Sequence, residues 1–262
     1  MLAAPAHAVA PHRDWRTILT PHFRVHYHEG LAPLAQRVAG IAEEALEGLS
    51  DRLAHQPEDP IHVVLTDETD GPNGFAEVIP HNLITLFAAV PDPAAALGEY
   101  DDYWRLLVTH ELAHVVHLDS IGGIPYVVNQ IIGKQLSPNQ VQPRWFIEGL
   151  AVWLESDLTR AGRLRSALFE MIVRAQAIDG TLPAIDEITT STRRFPGGNS
   201  PYLYGGRFLG WLAKTFGSDK LAEVSLRYGS RLVPYGLNIV AREVFGRDYP
   251  TLWEEWLTEE RA

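Results

Sequence analysis

Three histidines and one glutamate lie within eight residues of an otherwise apolar segment, VTHELAHVVHLDS at residues 108–120. His110 and His114 are four positions apart, so on a helix their imidazoles share one face and can chelate a single Zn²⁺. Glu111 lies between them, where it can act as general base on a water bound to the metal. The pattern therefore predicts a catalytic zinc site on a helix.

The same spacing also occurs on surface helices whose histidines face the solvent. Against that alternative, the segment is apolar on nearly every side, which is typical of a buried helix. Its apolar residues are Leu106, Leu107, Val108, Leu112, Ala113, Val115, Val116 and Leu118. Because a buried polar group without a partner costs about 1–3 kcal/mol, burial of this helix favours metal ligation.

A catalytic zinc site has three protein ligands and one open position. The chain has no cysteine, so the third ligand must be His, Asp or Glu. His117 is a poor choice, because a straight helix does not easily wrap three side chains around one ion, and we expect it to pack or to support a ligand indirectly. Glu148 is the better candidate. It is embedded in PRWFIEGLAVWLES at 143–156, where a lone buried carboxylate is costly without a metal.

Glu155 lies seven residues after Glu148, on the same predicted helical face. In one interpretation it accepts a hydrogen bond from a ligating histidine and fixes the tautomer of that ring. In the other it is an exposed glutamate at the end of the helix. The residues alone leave both interpretations open.

HELAH at 110–114 followed by WFIEGLAVWLE at 145–155 resembles the gluzincin zinc metallopeptidases, most closely the peptidase MA-like domains related to the M1 aminopeptidases. The resemblance implies a thermolysin-like zincin fold, zinc ligation by His110, His114 and Glu148, and Glu111 as general base. Between the second histidine and the ligand glutamate 33 residues intervene, more than in the M1 enzymes. An extra loop or helix is therefore expected at IGGIPYVVNQIIGKQLSPNQ.

The resemblance extends to SPYLYGGRFLGWLAKTFG, in which Tyr202, Gly205 and Gly217 match an M1 spacing. It implies that Tyr202 donates a hydrogen bond to the oxyanion of the tetrahedral intermediate. Tyr204 is the alternative donor, and packing in the core or pocket is the alternative role for Tyr202.

Two features of the sequence bear on substrate specificity. The G-x-M-x-N segment that grips a free α-amino group in M1 enzymes is absent, and we expect NLITLFAAV at 82–90 to form the equivalent edge strand, which an extended peptide could join. Arg193, Arg194 and Arg207 could bind a substrate carboxylate, or could remain solvated on the surface.

The order of predicted elements indicates an α+β fold, with a small N-terminal mixed sheet followed by a helical body that carries the active-site helix. Strands are predicted at 22–29, 61–67 and 82–90, and a long amphipathic helix at 31–54. From residue 100 the apolar spacing is helical, with breaks where Gly and Pro cluster. We therefore expect an α/β lobe at 21–100 and a helical catalytic lobe at 101–262, together forming one catalytic domain.

Composition narrows the possible partners and location. The 262 residues carry a net charge of -11, which argues against nucleic acid and anionic membranes as partners. No run approaches the roughly 18 apolar residues that span a bilayer. Residues 1–20 contain two A-x-A sequences, AHA and AVA within 6–10, and we expect a remnant of a signal peptide and hence an exported protein. A disordered Ala/Pro leader is the alternative.

Three functions agree with these residues. The first is a zinc-dependent metallopeptidase, with one Zn²⁺ ion and a peptide or protein as substrate. The second is a zinc-stabilised domain that binds peptides without cutting them, as part of a larger exported protein with a C-terminal domain such as a β-propeller. The third is hydrolysis of a non-peptide amide or ester by the same residues.

Overall fold

The computed structural model describes residues 13–92, 100–190, 193–233 and 235–261. Within these residues the strands are β1 (Trp15–Leu19), β2 (Phe23–His28), β3 (Ile61–Thr66), β4 (Gly74–Glu77) and β5 (Leu83–Phe87). The helices are α1 (Ala32–Leu53), α2 (Tyr103–Asp119), α3 (Gly123–Ile132), α4 (Arg144–Leu158), α5 (Ala167–Ile178), α6 (Ser200–Phe216), α7 (Asp219–Gly229), α8 (Leu237–Phe245) and α9 (Tyr249–Glu260). The α+β class expected from the sequence is confirmed.

The strands form one mixed sheet in the order β1-β2-β3-β5-β4. β2, β3 and β5 run parallel, and β1 and β4 pair antiparallel at the two edges. Successive side chains of a strand point to opposite faces, and the alternate residues Phe23, Val25, Ile61, Val63 and Leu65 are all buried. α1 connects β2 to β3 and packs against both β2 and α2. It thereby joins the sheet to the helical body.

Two expectations about the sheet are wrong. β1 lies inside the segment 1–20 assigned to a leader, because Trp15–Leu19 pairs in register with β2. The two A-x-A sequences themselves lie outside the described residues. The predicted edge strand, β5, lies between β3 and β4. The edge is β4, a four-residue strand that follows a turn-rich segment and is too short to show a clear alternation.

α2, the helix with the HELAH motif, begins at a well-defined cap and is buried on nearly all sides. The side chain of Asp102 accepts a hydrogen bond from the amide of Arg105 at 3.2 Å, as N-cap residues do. α2 packs against α1, α4, β4 and β5. The insert between His114 and Glu148 contains α3, so the extra helix allowed by the sequence is present.

α4 and α6 cross at unusually close range. A Cβ on Gly149 would lie 2.4 Å from the carbonyl carbon of Gly205, and a Cβ on Gly205 would lie 2.2 Å from the carbonyl oxygen of Trp145. Only glycine fits at these two positions without movement of the backbone. The close crossing places Tyr202 of α6 beside Glu148 of α4.

Candidate metal centre

His110 and His114 of α2 and Glu148 of α4 bring their ligand atoms together. The two Nε2 atoms are 3.2 Å apart. Glu148 Oε2 lies 3.7 Å from Nε2 of His110 and 3.4 Å from Nε2 of His114. Ligand atoms that bind one Zn²⁺ tetrahedrally at about 2.0–2.2 Å are roughly 3.4 Å apart. The three side chains therefore fit a zinc ion in both chemistry and spacing.

The charges of the cluster depend on one another. Burial raises the pKa of Glu148, but hydrogen bonds and charge interactions with His110 and His114 outweigh burial and lower it well below the usual range. Burial and Arg163 lower the pKa of His110, yet its hydrogen bonds to Glu148 and Glu155 prevail and raise it to about 9. A metal ion must therefore displace a proton from this imidazole, because a ligating histidine is neutral at the bound nitrogen.

Glu155 supports His110 from the side away from the cluster. Its carboxylate is completely buried, and Oε2 accepts a hydrogen bond from Nδ1 of His110 at 2.8 Å. This contact leaves Nε2 available as the metal ligand. Of the two interpretations of Glu155, the structure favours the hydrogen-bond acceptor over the exposed helix end.

Arg163 is a residue of the site that the sequence did not indicate. Its Nε and Nη2 donate to the two oxygens of Glu155 at 2.9 and 2.8 Å. With this guanidinium beside it, the pKa of Glu155 falls to about 2 despite the opposing effect of burial. Arginine in a loop is usually a solvated surface residue, and only the fold shows that this one is buried.

Glu111 lines the same cleft as the three candidate ligands and is 5% exposed. Gly74 at the start of β4 packs directly on it: a Cβ at this position would lie 3.0 Å from Cγ of Glu111. The edge strand therefore forms a wall against the candidate general base.

Tyr202 lies on the opposite side of the cluster. Its ring stacks on that of His110 with centroids 6.1 Å apart, and it lines the same cleft as Glu148. Burial and the charge of Glu148 raise the pKa of Tyr202 to about 12, so the hydroxyl keeps its proton and can donate it in a hydrogen bond. Tyr204, the alternative donor, instead donates to Gln176 of α5.

Glu148 is also held by Arg144, one turn earlier on α4. Nη2 of Arg144 lies 3.3 Å from Oε1 of Glu148, whereas Oε2 faces the two imidazoles. The two oxygens of the carboxylate thus have different partners, an arrangement suited to ligation through Oε2 alone.

His117 contacts other groups, as expected for a histidine outside the ligand set. Its Nε2 lies 2.9 Å from Oε1 of Gln142, and its Nδ1 lies 2.9 Å from the hydroxyl of Ser225. Burial lowers the pKa of His117 to about 3, so the ring is neutral. It fastens α2 to the segment before α4 and to α7, and no described hydrogen bond joins it to a candidate ligand.

The three arginines considered for a substrate carboxylate are not among the described residues that line the cleft. Arg194 bonds to Glu187, and Arg207 pairs with Glu170 and Glu260. Arg193 is exposed. The surface interpretation is therefore the better one for Arg193 and Arg194, whereas Arg207 is largely buried in its ion pairs and away from the cleft.

The cleft beside the cluster has a volume of about 490 Å³ and is open to β4. The amide of Phe87 donates to the carbonyl of Asn73 at 3.1 Å. Hydrogen-bonded pairs alternate along an antiparallel ladder, so the backbone polar groups of Gly74 and Ala76 point away from β5. Among the residues that the structure describes, no strand pairs with this side of β4, so Gly74 and Ala76, which line the cleft, present a free strand edge to it.

Comparison with known proteins establishes a similar fold. No family model matches the sequence. A protein of Treponema pallidum (strain Nichols), described only as uncharacterized, is 26% identical over 247 residues, covering 92% of this chain and 21% of that protein. The M1 zinc metallopeptidase of Deinococcus radiodurans matches with 18% identity and a TM-score of 0.52, over 94% of this chain and 51% of that one.

Native yeast LTA4 hydrolase matches with 14% identity and a TM-score of 0.53, over 93% of this chain and 39% of that one. The chain thus spans about half or less of each solved protein and about a fifth of the Treponema protein. Among the described residues, no helix is long and apolar enough to cross a membrane. At these identities the similarity concerns the fold: the chain has an α+β fold similar to that of M1 zinc metallopeptidases.

Proposed function

We propose that this chain is a zinc-dependent peptidase with a thermolysin-like zincin fold. The observation that carries the proposal is the convergence on one cleft of three ligand atoms with tetrahedral spacing, a glutamate next to the first ligand in sequence, and a protonated tyrosine. The fold similarity to zinc metallopeptidases supports it. Zinc, when bound, supplies a Lewis acid for the substrate carbonyl and lowers the pKa of a water molecule.

The residues of the chain perform the proton transfers and bind the substrate. Glu111 accepts a proton from the attacking water and returns it to the leaving amine. Tyr202 donates a hydrogen bond to the oxygen that becomes negatively charged. The free edge at Gly74 and Ala76 pairs with an extended peptide and holds the scissile bond along the cleft.

Substitution of Glu111 tests the mechanism. The change Glu111→Gln keeps the shape of the side chain and removes its basicity, so we expect unchanged zinc content and a loss of peptide hydrolysis of at least about 10²–10⁴-fold. Zinc is measured by elemental analysis, and cleavage of a peptide library by mass spectrometry. Glu58→Gln, at an exposed position, is the matched control, and His114→Ala is the metal-free reference.

The results of these measurements distinguish a peptidase from a domain that only binds peptides. Unchanged turnover in Glu111→Gln would contradict the mechanism. Absence of metal-dependent cleavage of any library peptide by the zinc-loaded protein would favour a peptide-binding domain.

Two further features remain proposals about the native protein. The Treponema relative is much longer than the part that this chain matches, which supports a catalytic domain within a larger protein. Export remains a proposal based on the A-x-A sequences at the N-terminus, and cell fractionation of the full-length protein tests it.

A further inference from the structure

The loop after α4 folds back so that Arg163 enters the site. Gly162 has a φ of 104°, and a Cβ there would lie 2.5 Å from Cα of Ser156. A side chain is therefore excluded at this turn by both backbone conformation and space. Arg165 fastens the same loop, because its Nη1 donates to the carbonyls of Ser156, Thr159 and Ala161.

Arg163 is held against Glu155 by three hydrogen bonds. Its backbone amide and Nε donate to Oε1 at 3.1 and 2.9 Å, and Nη2 donates to Oε2 at 2.8 Å. Oε2 also accepts from Nδ1 of His110 at 2.8 Å. Two donors therefore share one oxygen, and the guanidinium fixes the carboxylate that orients a candidate zinc ligand. Nη2 of Arg163 also lies 2.7 Å from Nδ1 of His110 itself, so the guanidinium touches this ring directly as well as through Glu155.

The same guanidinium contacts the candidate oxyanion donor. Its Cζ lies 5.0 Å from the ring centroid of Tyr202, within the distance of about 6 Å at which a cation is attracted to an aromatic ring. The Arg163 side chain is only 12% exposed, so water screens this contact weakly. One residue thus touches the support of His110 and the ring of Tyr202.

We propose that Arg163 is a positioning residue that sets the orientation of the zinc ligand His110, through Glu155, together with the orientation of Tyr202. The inference rests on the proposed zinc site. It gives the loop at 159–166 a role in the chemistry, although this loop lies outside all three sequence motifs. Lysine cannot replace this arginine, because a single ammonium group cannot bond both carboxylate oxygens in a fixed plane.

The first experiment measures zinc affinity by competition with a chelator. In Arg163→Lys we expect the affinity to fall about 10- to 100-fold, as when a group that orients a ligand is lost. In a Glu155→Gln background the same change should have a smaller effect than in the wild type, because the path through the carboxylate is already broken and only the direct 2.7 Å contact of Nη2 with Nδ1 of His110 is left. Arg160→Lys, an exposed arginine of the same loop, should bind zinc as the wild type does.

A second experiment tests the contact with Tyr202 through thermal unfolding. Arg163→Gln, which removes the cation, and Tyr202→Leu are measured singly and together. We expect the combined loss in Tm to be smaller than the sum of the single losses, because both changes remove the same contact. If Arg163→Lys does not fold, Arg163→Gln, whose amide can still donate to Glu155, replaces it in the first experiment.

Either of two results would overturn the proposal: zinc affinity in folded Arg163→Lys within twofold of wild type, which indicates a purely structural role, or fully additive losses in Tm. Neither experiment requires turnover. Absence of peptide cleavage by the wild type would therefore count against the proposed function, while zinc affinity and Tm would still decide the role of Arg163.

Discussion

The hydrogen bonds of His110 and Glu148 indicate which atom of each side chain would bind a metal. Nδ1 of His110 is bonded to Glu155, which leaves Nε2 for the metal. Oε1 of Glu148 faces Arg144, which leaves Oε2 for the metal. In each of these two side chains, the hydrogen bond made by one atom leaves the second polar atom free to bind the metal. Residue type and spacing predicted the ligands, and these contacts indicate which atom of each would bind.

A substitution at Gly74 tests the position of the Glu111 side chain. In Gly74→Ala the new methyl group would lie 3.0 Å from Cγ of Glu111, closer than carbon atoms approach without movement. The Glu111 side chain must therefore move by a few tenths of an ångström. Because displacement of a catalytic group by about 1 Å can cost about 10²-fold in rate, we expect kcat to fall by up to about 10-fold with zinc content unchanged. Steady-state kinetics on a cleaved library peptide measures this. Gly71→Ala, where the nearest atom is at 3.6 Å, is the control, and equal kcat in both variants would contradict the role of Gly74.

At the scale of elements, the site depends on how α2, α4 and α6 approach one another. α2 contributes two candidate ligands and the candidate base, α4 the third ligand, and α6 the tyrosine. The motif in α2 could be recognised from its spacing, because i and i+4 share a face on any helix. The crossing of α4 and α6 could not be recognised from the sequence, because it depends on two glycines, Gly149 and Gly205, that are far apart in the chain.

The crossing leads to a prediction about stability. In Gly205→Ala the added Cβ would lie 2.2 Å from the carbonyl oxygen of Trp145, so the helices must separate. We expect the free energy of unfolding to fall by about 1–3 kcal/mol, as in overpacked cores, measured by urea denaturation. Gly210→Ala on the same helix has its nearest contacts at 3.6 Å and should be neutral or stabilising, because alanine favours helix more than glycine does. Unchanged stability in Gly205→Ala would contradict the close crossing.

At the scale of the whole molecule, Asp119 connects the sheet and the helical body. It lies at the end of α2, and its carboxylate forms hydrogen bonds with the side chains of His55 after α1, Asn82 before β5 and Lys134 after α3. Burial raises the pKa of Asp119, but hydrogen bonds and charges of His55 and Lys134 outweigh it and lower the pKa below its usual value. Acidification should therefore weaken the connection between the two parts of the molecule.

The sign of this pH effect follows from the lowered pKa. The contribution of Asp119 to stability is fully present above the unfolded-state pKa, about 3.9, and is lost as pH falls through the folded-state pKa. At pH 7 the free energy of unfolding of Asp119→Asn should be about 3 kcal/mol below that of the wild type, at the lower end of the cost of breaking a buried pair. The variant should also lose less additional stability than wild type between pH 7 and pH 3. Urea unfolding at both pH values measures this, and parallel losses would contradict it.

Zinc itself should stabilise the molecule, because its candidate ligands join two helices. A free zinc concentration about 1,000 times the dissociation constant adds about 4.1 kcal/mol, and each kcal/mol raises Tm by about 2–4 °C in a domain of this size. Calorimetry with zinc and with a chelator measures the shift. His114→Ala should lose most of it, and an equal shift in that variant would place the stabilising ion elsewhere.

The sequence by itself determined the α+β class, the existence of strands β2, β3 and β5, and the groups suited to bind a metal, but it placed β5 at the edge of the sheet instead of inside it. These features follow from local periodicity and residue chemistry, which neighbours in the chain already specify. It did not reveal β1 within the supposed leader or β4 as the edge strand. Both are short and depend on hydrogen bonds to strands elsewhere in the chain.

Only the tertiary structure decided which oxygen and nitrogen atoms face the candidate metal position, that Tyr202 rather than Tyr204 lines the cleft with Glu148, and that Arg163 is buried among the candidate catalytic groups. Each of these depends on contacts between residues on different elements, such as the 2.8 Å hydrogen bond between His110 on α2 and Glu155 on α4. Spacing along the chain can place two residues on one helical face. The packing of helices selects which faces meet, and therefore which side chains act together.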